Sequence, residues 1–222
     1  ALLEQKPSNQ TLLIVEFLGE LVSLDAARAT DLLVGAYPRV PPHLVRSHAA
    51  AGVYLTYLNR LLGTSGSAKA RRDEDVATEC LCLNLREHGV SLNVWQDDGA
   101  GGQHPSRGSL GAWGANGRWM RVLIDKCAIR EEEALQACLR AGYWDGAMLL
   151  LERAGRHADA VTLALWADDK KWWVKLAPLC AGVAAWRAII KQFELVRRSR
   201  QGQPSTISAA DGAFFLVSFL GY

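Results

Sequence analysis

Between Leu135 and Leu165 the chain repeats itself over a distance that fits one short helix and one tight turn. Arg140-Ala141-Gly142-Tyr143-Trp144-Asp145-Gly146-Ala147 is answered by Arg153-Ala154-Gly155-Arg156-His157-Ala158-Asp159-Ala160. Arg, Ala, Gly and the closing Ala all return at an offset of 13. Glycine enters the left-handed region without a Cβ clash, so Gly142 and Gly155 each mark a helix end. A unit of this length divides into about ten helical residues and a turn of about three, and such short connections set consecutive helices antiparallel. Ala147 and Ala160 hold equivalent places and are small enough for two helices to approach closely. A helix this short is not stable alone in water. It persists by stacking on its neighbours, which is how an α-solenoid of antiparallel hairpins buries its apolar faces.

The other segments have the same helical periodicity, and no run of alternating strands interrupts them. Ser8 or Asn9 can cap a first apolar run through Leu12, Leu13, Leu18 and Leu21, and Asp25 can cap a second helix ending at Tyr37-Pro38. Pro41-Pro42 opens a third helix, carrying Leu44 through Leu62 and stopped by Gly63. The polar stretch TSGSAKARRDED predicts a loop or disorder. Val76, Cys80, Leu83 and Leu85 predict a fourth helix ending at His88-Gly89. Helical units resume at about 120–127, 130–140, 144–154, 157–166, 169–180 and 183–199. The last run, ISAADGAFFLVSFLGY, begins as a helix pattern. The expected organisation is all-α: a helical segment over 1–96, a glycine-rich loop or disordered insert over 97–118, and a second helical segment over 119–222. The insert DDGAGGQHPSRGSLGAWGANG holds seven glycines and cannot offset its ordering entropy by burial.

Several kinds of chemistry are disfavoured by the residues present. Lys and Arg total 25 against 23 Asp and Glu, too balanced for a nucleic-acid or anionic-membrane footprint. No apolar run is long enough to span a bilayer. The glycine-rich insert lacks the G-K-[ST] and the strand-linked G-x-G-x-x-G of phosphate cradles. Cys80 and Cys82 project about 200° apart on a helix, and His43 and His48 are one residue off a shared face, so neither pair makes a zinc site. No G-x-S-x-G elbow is present, and Glu131-Glu132-Glu133 suit the positive end of a helix dipole. No catalytic residue, cofactor or metal is expected. Five scattered cysteines, an odd count, read as reduced thiols of a cytosolic protein. The opening Ala and the mid-pattern start read as a fragment of a longer protein.

Candidate partner contacts come from the tryptophans, of which there are eight. Trp166, Trp172, Trp173 and Trp186 have the side chain most enriched at interface hot spots, and inter-helix packing is the alternative use for it. Arg197 and Arg198, with Lys191 and Arg200, make a basic helix end that either complements the dipole or meets an acidic partner.

The stretch LQACLRAGYWDGAMLLLERAGRHADAVTLAL resembles the clathrin-heavy-chain type repeat. There a glycine turn closes one helix and a G-x-x-x-x-A phrase opens another, here Gly142 to Ala147 and Gly155 to Ala160. DDKKWWVKLAPL and ISAADGAFFLVSFLGY resemble the end of the solenoid in the class C vacuolar protein sorting subunits of the tethering complexes HOPS and CORVET. ATDLLVGAYPRVPPHLVRSHAAAGVYLTYLNRLL resembles its upstream part. The resemblance spans Ala29–Leu62 and Arg130–Leu220. The propeller and RING of family members have no match here, nor has the glycine-rich insert a counterpart in the family. The resemblance implies a non-enzymatic scaffold, cytoplasmic and peripheral on endosomal or lysosomal/vacuolar membranes. Its implied partners are other solenoid subunits and, through the complex, small GTPases or SNARE-related proteins. A scaffold of the nuclear pore or another coat, and an all-α enzyme with a helix-lined cleft, are the other expectations open at this point.

Overall fold

A computed structural model of the chain describes residues 13–14, 16–63, 66–89, 95–97, 103–105 and 113–199. The described residues are helical apart from one small hairpin, and they fall into two compact units. The first unit draws on residues up to Asn84 together with Val122–Arg130. The second draws on Leu85–Arg121 and on residues from Glu131 onward. The bounds of these units differ from the expected division at 96 and 118. The cause is a short strip after residue 126: Ala128 N–H donates to the Arg71 carbonyl (2.7 Å) and Arg130 N–H to Thr78 Oγ1 (2.9 Å), which joins 122–130 to the first unit.

The first unit begins with α1 (Leu18–Ala36), α2 (Pro42–His48) and α3 (Ala51–Leu62), followed by a 3-10 turn over Ala70–Arg72 and by α4 (Glu74–Gly89) as far as Asn84. The expected cap at Asp25 lies inside α1, at a kink where Asp25 leaves the helical region (φ −158, ψ 96). Its Oδ1 accepts the N–H groups of Ala27 and Arg28, both at 3.0 Å, so the carboxylate restarts the helix by satisfying donors orphaned at the kink. The proposed Ser8 or Asn9 cap lies outside the described residues.

The single helix expected over Leu44–Leu62 is two. Ala49 and Ala50 are extended, and the Ser47 hydroxyl donates to the Leu44 carbonyl at 2.9 Å, competing with the helix ladder. The break lets Val45 on α2 and Tyr54, Tyr57, Leu58, Leu61 and Leu62 on α3 all reach the core. Where a loop or disorder is expected after Gly63, the described part holds the 3-10 turn, with Ala70 fully buried.

In the second unit, residues of the expected glycine-rich insert form part of a hairpin. β1 (Trp95–Asp97) pairs antiparallel with β2 (Gln103–Pro105) in the register Trp95↔Pro105, Gln96↔His104, Asp97↔Gln103. The helix α5 (Gly114–Lys126) then starts inside the predicted insert. Five further helices follow: α6 (Glu131–Ala141), α7 (Trp144–Arg153), α8 (His157–Ala167), α9 (Lys170–Leu176) and α10 (Val183–Ser199). Each begins 13 residues after the one before it, so the period visible twice in the sequence governs five helix starts. Helices α6 to α9 pack on one another in chain order, α10 packs on α8, and β2 also packs on α8.

The turns explain the period. Gly142 has φ 70 and Gly155 φ 69. At the first, Gly142 N–H donates to the Leu139 carbonyl (3.3 Å) and Tyr143 N–H to that of Cys138 (2.9 Å). At the second, Gly155 N–H donates to Glu152 (3.0 Å) and Arg156 N–H to Leu151 (2.9 Å). Both are Schellman caps, in which the left-handed residue turns two donors back onto carbonyls that the helix end leaves open. Asp168, another 13 residues on, has φ 59, and the same pair of bonds recurs: Asp168 N–H to Leu165 (3.2 Å) and Asp169 N–H to Ala164 (2.9 Å). The next helix is also capped by a side chain, since Asp169 accepts from Lys171 N–H (2.9 Å) and Trp172 N–H (3.1 Å).

Two glycines separate backbone cost from packing cost. A Cβ at Gly155 meets nothing within 4 Å, so Gly155→Ala costs only the left-handed backbone, about 1–2 kcal/mol. A Cβ at Gly146 stands 2.4 Å from the Tyr143 ring and 3.1 Å from Cys138 Sγ. Gly146→Ala therefore overpacks a helix interior and loses about 1–3 kcal/mol, although the same change at an open helical site gains stability. Urea unfolding of both variants checks this, with only Gly146→Ala expected to disturb the near-UV signal of the neighbouring aromatic rings.

Candidate functional site

The repeated turns align equivalent positions of α6 to α10. The fourth residues of the five helices are Ala134, Ala147, Ala160, Trp173 and Trp186, and all five are buried. Each of the last four donates the first helical hydrogen bond of its helix from its backbone N–H: Ala147 to the Tyr143 carbonyl, Ala160 to that of Arg156, Trp173 to that of Asp169 and Trp186 to that of Gly182. Three methyl side chains are followed by two indoles at one structural position. Alanine there allows close helix approach; tryptophan fills a wider space with a large apolar surface.

Trp166, Trp172, Trp173 and Trp186, the candidate partner contacts, are 9%, 4%, 1% and 5% exposed. They belong to the core of the second unit, so inter-helix packing is the use observed. Three of their polar edges are also used. Trp166 Nε1 donates to Gln192 Oε1 (3.2 Å), Trp172 Nε1 to Asp145 Oδ1 (2.7 Å) and Trp186 Nε1 to the Cys180 carbonyl (3.1 Å). Buried indoles take such partners because an unmade N–H bond costs about 1–3 kcal/mol. Trp113, which sequence reasoning did not single out, does the same toward the Gly142 carbonyl (3.3 Å), and its ring meets Tyr143 edge-on at 5.4 Å. Tyr143 in turn donates to the Gly117 carbonyl (2.7 Å), which joins the start of α5 to the first turn.

Asp145 at the start of α7 is the centre of a half-exposed polar network. Its second oxygen accepts from Arg121 (3.0 Å) on α5. Trp172, bound to the first oxygen, lies under the Lys175 ammonium at 4.6 Å, and Lys175 reaches Glu152 at 2.5 Å. One carboxylate thus ties α5, α7 and α9 together, while the cation over the indole face adds an exposed contact of about 0.5–1 kcal/mol. Nothing in the local sequence marks Asp145; its partners are 24 and 27 residues away.

Arg197 and Arg198 are exposed in the last turn of α10, where positive charge meets the negative end of the helix dipole. Exposed apolar residues of the second unit are Val174, Leu179, Val183 and Leu195, all on or between α9 and α10. The segment ISAADGAFFLVSFLGY and Arg200 lie outside the described residues.

In the first unit, Tyr37, Lys69, Arg72, Asp73, Glu74 and Asp75 line an open depression of about 460 Å³. Burial and the neighbouring Asp73 raise the Tyr37 hydroxyl above its ordinary titration range, and that hydroxyl donates to Asp73 Oδ2 (3.4 Å). Asp75 pairs with Arg130 and Asp73 Oδ1 accepts Val76 N–H (3.3 Å), so these carboxylates are already engaged in capping and pairing. Deeper in the unit, Asn84 Nδ2 donates to Asn59 Oδ1 (2.8 Å) and to the Cys80 carbonyl (2.8 Å), and Cys80 Sγ donates to Asn59 (3.3 Å). Tyr54 donates to Glu79 (2.8 Å), which also pairs with Arg46 (2.8 Å). Among the described residues, no three His, Cys, Asp or Glu side chains are grouped to hold a metal ion, and no helix is long and apolar enough to cross a membrane.

Two outcomes test this arrangement. Asp145→Ala removes the acceptor of the Trp172 indole N–H and one ion-pair partner of Arg121 and is expected to cost about 1–3 kcal/mol in urea unfolding, with Asp145→Asn intermediate because its amide oxygen still accepts from the indole. Burial lifts the Cys180 thiol from 9.0 to about 11 and also raises Cys80 and Cys127. A thiol held protonated by the fold ionises more readily once unfolded. Stability is therefore full below about pH 9 and falls as pH rises through about 11, which a pH series of urea midpoints checks.

No protein-family model matches this chain, and no curated protein and no solved structure is significantly similar to it.

Proposed function

We propose that the chain is a non-enzymatic scaffold subunit of an endolysosomal vesicle-tethering complex, with α6 to α10 acting as a clathrin-repeat-like α-solenoid. The observation that carries the reading is the 13-residue register of five helix starts, with left-handed caps at 142, 155 and 168. Helices of this length have little stability apart, and their value lies in the continuous surface that stacking creates. Such surfaces serve several protein contacts at once and offer little of the enclosed, water-excluded volume that a reaction needs. The likeness of the repeat to the class C vacuolar protein sorting subunits narrows the use to tethering. In this reading the chain binds other solenoid subunits directly, meets small GTPases or SNARE-related proteins through the complex, and reaches endosomal or lysosomal/vacuolar membranes indirectly from the cytoplasm.

Crosslinking mass spectrometry on the tagged protein purified from its native cells tests this. The expected outcome is recovery of several propeller–solenoid subunits with crosslinks to the region from Arg130 onward. Recovery of nuclear-pore or other coat subunits instead would move the scaffold to that assembly, and recovery of the protein alone would sink the scaffold reading.

A further inference from the structure

The outer face of α10 has a charge pattern that its packing does not use. Its apolar side, Trp186, Ile189 and Val196, is buried, with α10 packed on α8. On a helical wheel, Arg187, Lys191 and Arg198 fall within about 40° of one another on the opposite side. All three are exposed, and none forms an ion pair among the described residues. Beside them runs a second exposed line, Ala184, Ala188 and Leu195, with the same i, i+4, i+11 spacing. Glu194 is the one acid on the helix, and from Lys170 to Ser199 seven cations stand against it alone. The chain as a whole carries a net charge of only +2, so positive charge is concentrated here.

We propose that this face of α10 docks an acidic α-helix of a partner protein, as the chemistry of one contact in the scaffold reading above. The two parallel lines have the periodicity with which a second helix presents its own side chains. Ala184 and Ala188 let the axes approach to about 8–10 Å, and Leu195 supplies an apolar anchor. Glu or Asp residues on the flank of the incoming helix meet Arg187, Lys191 and Arg198, and electrostatic steering speeds the encounter. A membrane is the less suitable occupant, because an interfacial helix inserts its apolar face and that of α10 is already covered within its own unit.

The test uses the whole chain and a labelled synthetic helical peptide of Ala, Leu and Glu, with glutamates at i, i+4 and i+11 beside an Ala/Leu line. A control peptide has glutamine in their place. Fluorescence anisotropy is expected to show binding of the glutamate peptide that is about ten-fold tighter than that of the control, weakening with added salt. The triple variant Arg187→Glu/Lys191→Glu/Arg198→Glu is expected to lose that preference with its circular dichroism unchanged, since all three side chains are exposed. Equal binding of the two peptides, or no binding of either, would overturn the proposal. So would binding to vesicles of phosphatidylcholine with about 30% phosphatidylserine that the triple variant abolishes while the peptide goes unbound, because the face would then serve an anionic membrane. A peptide probe gives the same answer whichever assembly the chain joins, so failure here and failure of the tethering assignment are separate results.

Discussion

The second unit depends on a residue that accepts a positive φ at the ends of α6, α7 and α8. At Gly142, Gly155 and Asp168 the backbone turns left-handed, and two N–H donors fold back onto the last open carbonyls. That closure stops one helix and launches the next within three residues, which is why α7, α8 and α9 begin at 144, 157 and 170. Packing then follows from the covalent spacing. Each helix meets the next before the chain can go elsewhere, and the apolar faces of helices too short to survive alone bury one another.

On this register the side chains change character along the unit. Alanine occupies the fourth position of α6, α7 and α8, and tryptophan that of α9 and α10. The tryptophan-rich end carries polar ties as well, with indole N–H groups donating to Asp145, Gln192 and the Cys180 carbonyl. Side chains that look from their type like anchors for a partner are thereby committed to the core. What remains outward on α10 is charge beside a narrow aliphatic line, and the surface chemistry of this end is electrostatic more than aromatic.

The first unit is organised differently. There the bonds that matter join residues far apart in the chain: Asn59 with Asn84, Tyr54 and Arg46 with Glu79, Arg71 with Ala128. A buried amide pair with a cysteine carbonyl and thiol around it must be satisfied together or not at all, which fixes how α3 and α4 meet. The strip at 128–130 belongs to this unit through its backbone, although the helix pattern alone assigns it to the later half.

The sequence by itself determined most of the helices and where several end, because those features are local. Asp25 caps a helix start wherever its neighbours are helical, and glycine at 142 and 155 marks a left-handed turn without reference to the rest of the molecule. The third turn was less legible because Asp enters the left-handed region less freely than glycine and Asp168 stands outside the repeated Arg-Ala-Gly phrase. The membership of 122–130, the hub at Asp145 and the burial of four tryptophans were decided by tertiary structure. Each rests on which surfaces meet across tens of residues. Periodicity shows that a side chain has an apolar face to bury, and only packing decides whether that face goes to its own core or to a partner.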